Sequence, residues 1–185
     1  AHGYLQNSIS LSFSDISPIA IEKSRKNIES FLSANMNLSI THAVGAGLDP
    51  WLDEEFDLVI NDVSAISDEV SKLSTWFDKA PNNSGIDGLD NSIAILDRFS
   101  ARENLGQVML MPALSLSNVP KLLQYLEGLG LTYQKVASQK WPLPAEMYRD
   151  YRSLLMDLCL NGYIQIEERY GNLVAETACY KIGRH

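Results

Sequence analysis

The rhythm of apolar and polar positions changes repeatedly along this chain, and each change predicts a strand or a helix. Ile9-Ser10-Leu11-Ser12-Phe13-Ser14 alternates with a period of two and stops at Asp15, the pattern of a half-buried strand. Ser17-Pro18 follows, with an N-cap hydroxyl and a proline at the first helical position. Ile21, Ile28, Phe31 and Leu32 then recur on one face while Glu22, Lys23, Arg25 and Lys26 cover the rest, which predicts a helix to about Ala34. A weaker strand pattern covers Leu38 to Val44, and Gly45-Ala46-Gly47 turns the chain toward Asp49-Pro50-Trp51. Phe56-Asp57-Leu58-Val59-Ile60 is a short apolar run that reads as a strand buried on both faces, ending at Asn61-Asp62.

From Ser64 to Ser84 the pattern is polar and irregular, and Pro81-Asn82-Asn83-Ser84-Gly85 is the clearest loop in the chain. Loops of this length in compact domains often serve a site, and Trp76 and Phe77 would suit a lid or satellite packing. Asp90 is placed to cap a helix through Ile93, Leu96 and Phe99. Gly106 to Met111 reads as a buried strand, and Val119 to Gly128 as a helix ending at glycine. Leu131 to Ser138 predicts a strand, and Pro144 to Leu160 a helix. Tyr163 to Glu168 with Leu173 to Ile182 predicts a hairpin turning at Tyr170-Gly171-Asn172. The expected fold class is therefore α/β: a mainly parallel sheet with an antiparallel C-terminal hairpin, in a single domain over residues 1–185 with no internal repeat.

Composition narrows what such a domain does. At 185 residues, 45% of them hydrophobic and 21% charged, the chain has the profile of a soluble globular protein. At this size folding buries roughly 70% of the unfolded surface. A net charge of −8 opposes attraction to phosphate backbones and anionic lipid, so nucleic acid is a disfavoured partner. No apolar run approaches the roughly 20 residues of a bilayer crossing, and the first residues lack a secretory layout. Cys159 and Cys179 have no metal-binding spacing and read as core thiols of a reducing compartment, so a cytoplasmic location and no membrane partner are expected. The scattered His2, His42 and His185 suggest neither a metal site nor a catalytic triad, and no Gly-x-Ser-x-Gly elbow supports a hydrolase.

In open α/β sheets ligands bind beyond the carboxyl ends of the strands, which directs attention to three places. Asp15 closes the first strand, where a carboxylate can accept both hydroxyls of a ribose or help cap the helix beginning near Ser17. Gly45-Ala46-Gly47 would let the backbone approach a flat ring, or is simply a turn. Asn61-Asp62-Val63-Ser64 places side-chain oxygens where a substrate would be held or deprotonated. Its plainer reading is a polar turn with an Asx-type cap.

Ser14-Asp15-Ile16-Ser17-Pro18, continuing to Asn27, resembles the second-strand region of class I S-adenosylmethionine-dependent methyltransferases. Asp49-Pro50-Trp51, Phe56 to Asn61 and Gly85-Ile86-Asp87-Gly88-Leu89 follow in the order found in the small-domain members, which include the protein-glutamine methyltransferases of release factors. The resemblance covers about residues 5 to 140. It implies a Rossmann-like methyltransferase fold with S-adenosylmethionine as cofactor, bound by Asp15, Ile16, Gly45, Ala46 and Asn61. Asn61 and Ser64 would then face the acceptor, and Asp62 would be the candidate base. The family's Asn-Pro-Pro-Tyr is here Asn61-Asp62-Val63-Ser64, so a planar amide or amino group is not implied as acceptor. Ala46 stands where an acidic residue usually meets the adenine. The family's glycine-rich first motif would precede Asp15 by some twenty residues, so the first strand and cofactor loop are expected to be missing. The implied activity is methyl transfer to a small-molecule or protein acceptor. A catalytically inactive, methyltransferase-like partner subunit is the alternative, and the terminal hairpin leaves homo-oligomerisation open.

Overall fold

The computed structural model describes residues 9–31, 38–63, 65–73, 82–101 and 108–184. The chain divides into two compact units, Ala1–Glu54 and Glu55–His185.

In the first unit, β1 (Ile9–Asp15) and β2 (Leu38–Val44) pair in parallel, in register from Ile9 opposite Leu38 to Asp15 opposite Val44. The crossover between them contains α1 (Pro18–Phe31). Its first turn is held as expected, with the Ala20 N–H donating to Ser17 Oγ at 3.3 Å and the Ile21 N–H to the Ser17 carbonyl at 3.1 Å. Cross-strand pairs knit the two strands. The Phe13 and His42 rings stack with centroids 5.3 Å apart, and Ser12 and Thr41 share a 3.0 Å hydrogen bond. His42 therefore has a packing role. A 3₁₀ turn at Asp49–Trp51 buries Leu48 and Trp51.

The second unit contains β3 (Leu58–Ile60), α2 (Asp68–Ser71), α3 (Asp90–Ser100), β4 (Val108–Leu114), α4 (Val119–Gly128), β5 (Thr132–Pro142), α5 (Ala145–Leu160), β6 (Glu167–Arg169) and β7 (Asn172–Gly183). The sheet order is β3-β4-β7-β5, with β6 also paired to β7. β3 lies parallel to β4, while β4, β5 and β6 are each antiparallel to β7. Every strand of this sheet except β7 consequently runs the same way. The fold class is the expected α/β one, with the hairpin turning through Tyr170 and Gly171, both at positive φ.

β4 alternates half-buried and buried positions, sinking Met109, Met111 and Ala113, and α3 and α4 contribute buried Leu96, Phe99, Leu122 and Leu126. A further cluster joins Met147, Leu155 and Leu158 of α5 to Leu173 and Ala175 of β7, with Ile66, Leu116, Leu143 and Ile164 completing it. The Lys135–Glu176 and Lys140–Glu167 pairs stitch the strands on the outside. The hydrogen bond from each lysine holds its carboxyl below the usual carboxylate range. What these pairs contribute is therefore present above the ordinary pKa and lost as pH falls through the depressed value.

Several boundaries differ from the sequence expectation, each for a physical reason. β3 covers only Leu58–Ile60, and it buries Val59 alone while Leu58 and Ile60 are exposed, so it is not a strand buried on both faces. β4 continues through Pro112, past the expected end at Met111. Leu110 already receives its last bond on the β3 side, from the Asn61 N–H, so the missing N–H of Pro112 faces no partner strand. β6 is shorter than the Tyr163–Glu168 run predicts because Ile164 is drawn into the α5 cluster and Tyr163 and Ile166 pack against it. The expected helix end at Ala34, the strand start at Gly106 and the Trp76-Phe77 lid fall outside the described residues.

Candidate functional site

The first unit gathers four of the predicted residues at one place. Asp15 and Val44 are register partners at the carboxyl ends of β1 and β2, and the Gly45 N–H continues the ladder by donating to the Asp15 carbonyl at 3.0 Å. Ser14 Oγ donates to the Gly47 carbonyl at 2.7 Å, tying the glycine turn back to β1. Asp15 Oδ1 accepts the Ser17 N–H at 2.7 Å, the capping alternative of the sequence analysis. Its other oxygen has no partner among the described residues, and the side chain is exposed. Ile16 is 55% exposed and Val44 54%, so two apolar side chains flank the carboxylate, and Ala46 beside them is exposed as well. Val44 was not singled out in the sequence, where it is only the last residue of a weak strand.

Gly45 has a packing reason to be glycine, since a Cβ there would lie 2.4 Å from Pro50 Cγ. Gly45→Ala is expected to cost about 1–3 kcal/mol through that overlap, read as a lower denaturation midpoint of the first unit. An unchanged midpoint would mean that Pro50 moves away at no cost.

In the second unit, the Asn61 N–H donates to the Leu110 carbonyl at 2.9 Å, and Asn61 itself is buried. Its Oδ1 accepts the Val63 N–H at 3.3 Å, an Asx-type turn, so this side-chain oxygen already has a backbone donor. Asp62 is exposed at the carboxyl end of β3. Ser64 lies outside the described residues.

The segment after this turn is clamped by a polar network that the sequence analysis did not assign. Asp68 Oδ1 accepts from Asn82 Nδ2 at 3.0 Å and from the Ser84 N–H at 2.9 Å, and Oδ2 accepts from the Gly85 N–H at 3.1 Å. The Asp68 N–H donates back to the Gly85 carbonyl at 2.9 Å. Asp87, largely buried, accepts from Lys121 Nζ at 2.6 Å, and its carbonyl takes the Asn118 N–H at 2.8 Å. Gly85-Ile86-Asp87-Gly88-Leu89 thus fixes the start of α3 against the start of α4. Its Gly-x-Asp-Gly spacing was the available signal, and its observed role is structural.

Cys159 and Cys179 are both free, and burial pushes the Cys159 thiol up from its ordinary value. No helix among the described residues is long and apolar enough to cross a membrane.

No family model matches the chain, and neither does any curated protein. In structure it is similar to the YcgJ protein of Bacillus subtilis, with a TM-score of 0.50 at 8% identity, covering 96% of this chain and 92% of that one. It is also similar to precorrin-6y C5,15-methyltransferase from Geobacter metallireducens, with a TM-score of 0.46 at 12% identity over 98% of this chain and 83% of that one. A third similar structure is the E. cuniculi Mtq2–Trm112 complex, responsible for methylation of the eRF1 translation termination factor, with a TM-score of 0.45 at 14% identity over 98% and 88% of the two chains. At 8% identity the likeness to the YcgJ protein bears on the fold alone.

Proposed function

We propose that this chain is an S-adenosylmethionine-dependent methyltransferase domain with the nucleoside side of its cofactor site at the carboxyl ends of β1 and β2. The observation that carries the reading is Asp15. One of its oxygens is anchored by the Ser17 N–H and the other is open to solvent, beside exposed Ile16 and Val44 and the Gly45-Ala46 turn. A ribose needs an oriented acceptor for its hydroxyls, and an adenine needs apolar surface next to it. These residues offer both, so the group fits what is present.

When bound, S-adenosylmethionine supplies a methyl group already activated on a sulfonium, which leaves positioning as the protein's main contribution. In this reading Asp15 holds the ribose, and Ile16, Gly45 and Ala46 border the base. Asn61 takes one bond from the Val63 N–H on its Oδ1 and shapes the strand end. Asp62, exposed and at the carboxyl end of β3, is the candidate base carried by the second unit.

Calorimetric titration with S-adenosylhomocysteine tests the proposal. The protein is expected to bind it saturably, and Asp15→Ala to weaken binding about tenfold or more through loss of charge-assisted hydrogen bonds. Equal affinity in the variant, or no binding by the protein, would overturn it. The run Asn61-Asp62-Val63-Ser64, which departs from the family's motif, favours a second reading, a methyltransferase-like subunit that has lost catalysis. That reading expects S-adenosylhomocysteine binding unchanged by Asp62→Asn, and no methyl transfer from either protein.

A further inference from the structure

We propose that the second unit carries a binding site for a small phosphorylated molecule at the amino ends of β4 and β5, independent of the nucleoside site proposed above. A cavity of about 430 Å³ opens there, within the usual size range of small-molecule sites. Val108 and Thr132, the first residues of β4 and β5, line its base, with Tyr133, Gln134, Lys181 and Arg184 around them. The register explains the gathering. Val108 and Thr132 are both opposite Gly183, and Gln134 is opposite Lys181, so neighbouring strands bring the amide and the ammonium side by side.

The charge balance of the site sets its ligand class. In this unit Lys72, Lys121, Lys135, Lys140, Arg149, Arg152 and Arg169 each have a carboxylate partner. Lys181 and Arg184 have none among the described residues, although acidic side chains outnumber basic ones by 23 to 15 in the chain. Both of these cations line the same cavity, and none of its described lining residues is a carboxylate. The nearby Glu127 is engaged by the Tyr133 hydroxyl at 3.0 Å, and one Arg184 nitrogen is directed at the Ser100 carbonyl.

A lysine point charge and the remaining N–H groups of Arg184 at one opening suit a dianion with several acceptor oxygens, which is what a phosphate monoester presents. Gln134, opposite Lys181, adds a neutral donor. A cationic ligand would meet repulsion from both side chains.

The test is calorimetric titration of the protein with phenyl phosphate and with inorganic phosphate at low salt. Phenyl phosphate has no ribose, so the site around Asp15 does not contribute. Saturable binding of phenyl phosphate is expected, weakened about tenfold by Lys181→Ala or Arg184→Ala and abolished by Lys181→Glu. Lys23→Ala and Asp15→Ala are expected to leave it unchanged. Lys181 and Arg184 are exposed, so circular dichroism should report the wild-type fold for each variant. Inorganic phosphate is expected to compete for the same site more weakly. The proposal is overturned if phenyl phosphate does not saturate, if neither cation matters, or if Lys23→Ala weakens binding as much as Lys181→Ala does, which would be general ionic attraction.

Discussion

Replacing Gly88 by valine is expected to destabilise the second unit by about 3 kcal/mol or more. Gly88 sits at φ +71°, in the left-handed region, which already disfavours a branched side chain. The greater obstacle is space. A Cβ at this position would stand 2.5 Å from the Ile66 carbonyl carbon, 2.6 Å from the Ser67 nitrogen and 2.8 Å from Ser117 Cβ. Two of these three are backbone atoms whose segment is itself fixed, since the Ser67 N–H donates to the Leu116 carbonyl at 2.8 Å. Relief therefore requires the whole 85–90 turn to move, and with it the Asp87–Lys121 pair and the start of α3. Urea denaturation followed by far-UV circular dichroism would show a lowered midpoint. A variant within about 0.5 kcal/mol of the wild type would mean that the turn does not pack as described.

Asp68→Ala is the second large effect, with an expected loss of about 3 kcal/mol. One carboxylate satisfies Asn82 Nδ2 and the N–H groups of Ser84 and Gly85, and Ser84 is fully buried. Truncation leaves that buried Ser84 donor without its acceptor, and the cost of an unmade bond exceeds the net gain of a made one. Asp68→Asn separates charge from geometry. It keeps one acceptor oxygen for the Asn82 and Ser84 donors but turns an NH₂ group toward the Gly85 N–H, so an intermediate loss is expected. Amide hydrogen exchange at Ser84 and Gly85 provides the local measurement. Accelerated exchange at both in Asp68→Ala, with the Met111 amide protected, is the expected outcome. Unchanged protection at Ser84 and Gly85 would refute the clamp.

Local patterns in the sequence anticipated most elements because most are decided locally. The period-two run ending at Asp15, the Ser17-Pro18 start of α1 and the turn residues around Gly171 all act through neighbours close along the chain. What escaped was decided by partners far away. The burial of β3 depends on what lies against it, which a five-residue apolar run does not encode. Pro112 reads as a strand terminator unless one knows that β3 has already ended beside it. The Asp68 clamp joins residues separated by an irregular, polar stretch in which no periodicity marks a partner. At the candidate site, the placement of Asp15, Ile16, Gly45 and Ala46 at one end of a parallel pair was legible from strand ends alone. That Asp15 spends one oxygen on the Ser17 N–H was not, because it depends on how the carboxylate is turned at the start of α1.

The reversed strand β7 has a consequence for how the molecule is assembled in time. β4 and β5 do not touch each other in the sheet; each is paired to β7, which emerges from the ribosome only after α5 and β6. Until then, Met109 and Met111 lie on a strand with no neighbour on that side, and the core between sheet and helices cannot close. Such long-range closure slows folding and leaves apolar edges open to wrong partners meanwhile. A nascent chain halted before Asn172 should therefore be held by chaperones as a sticky intermediate, and released into its compact form once the final strand slides between the two that await it.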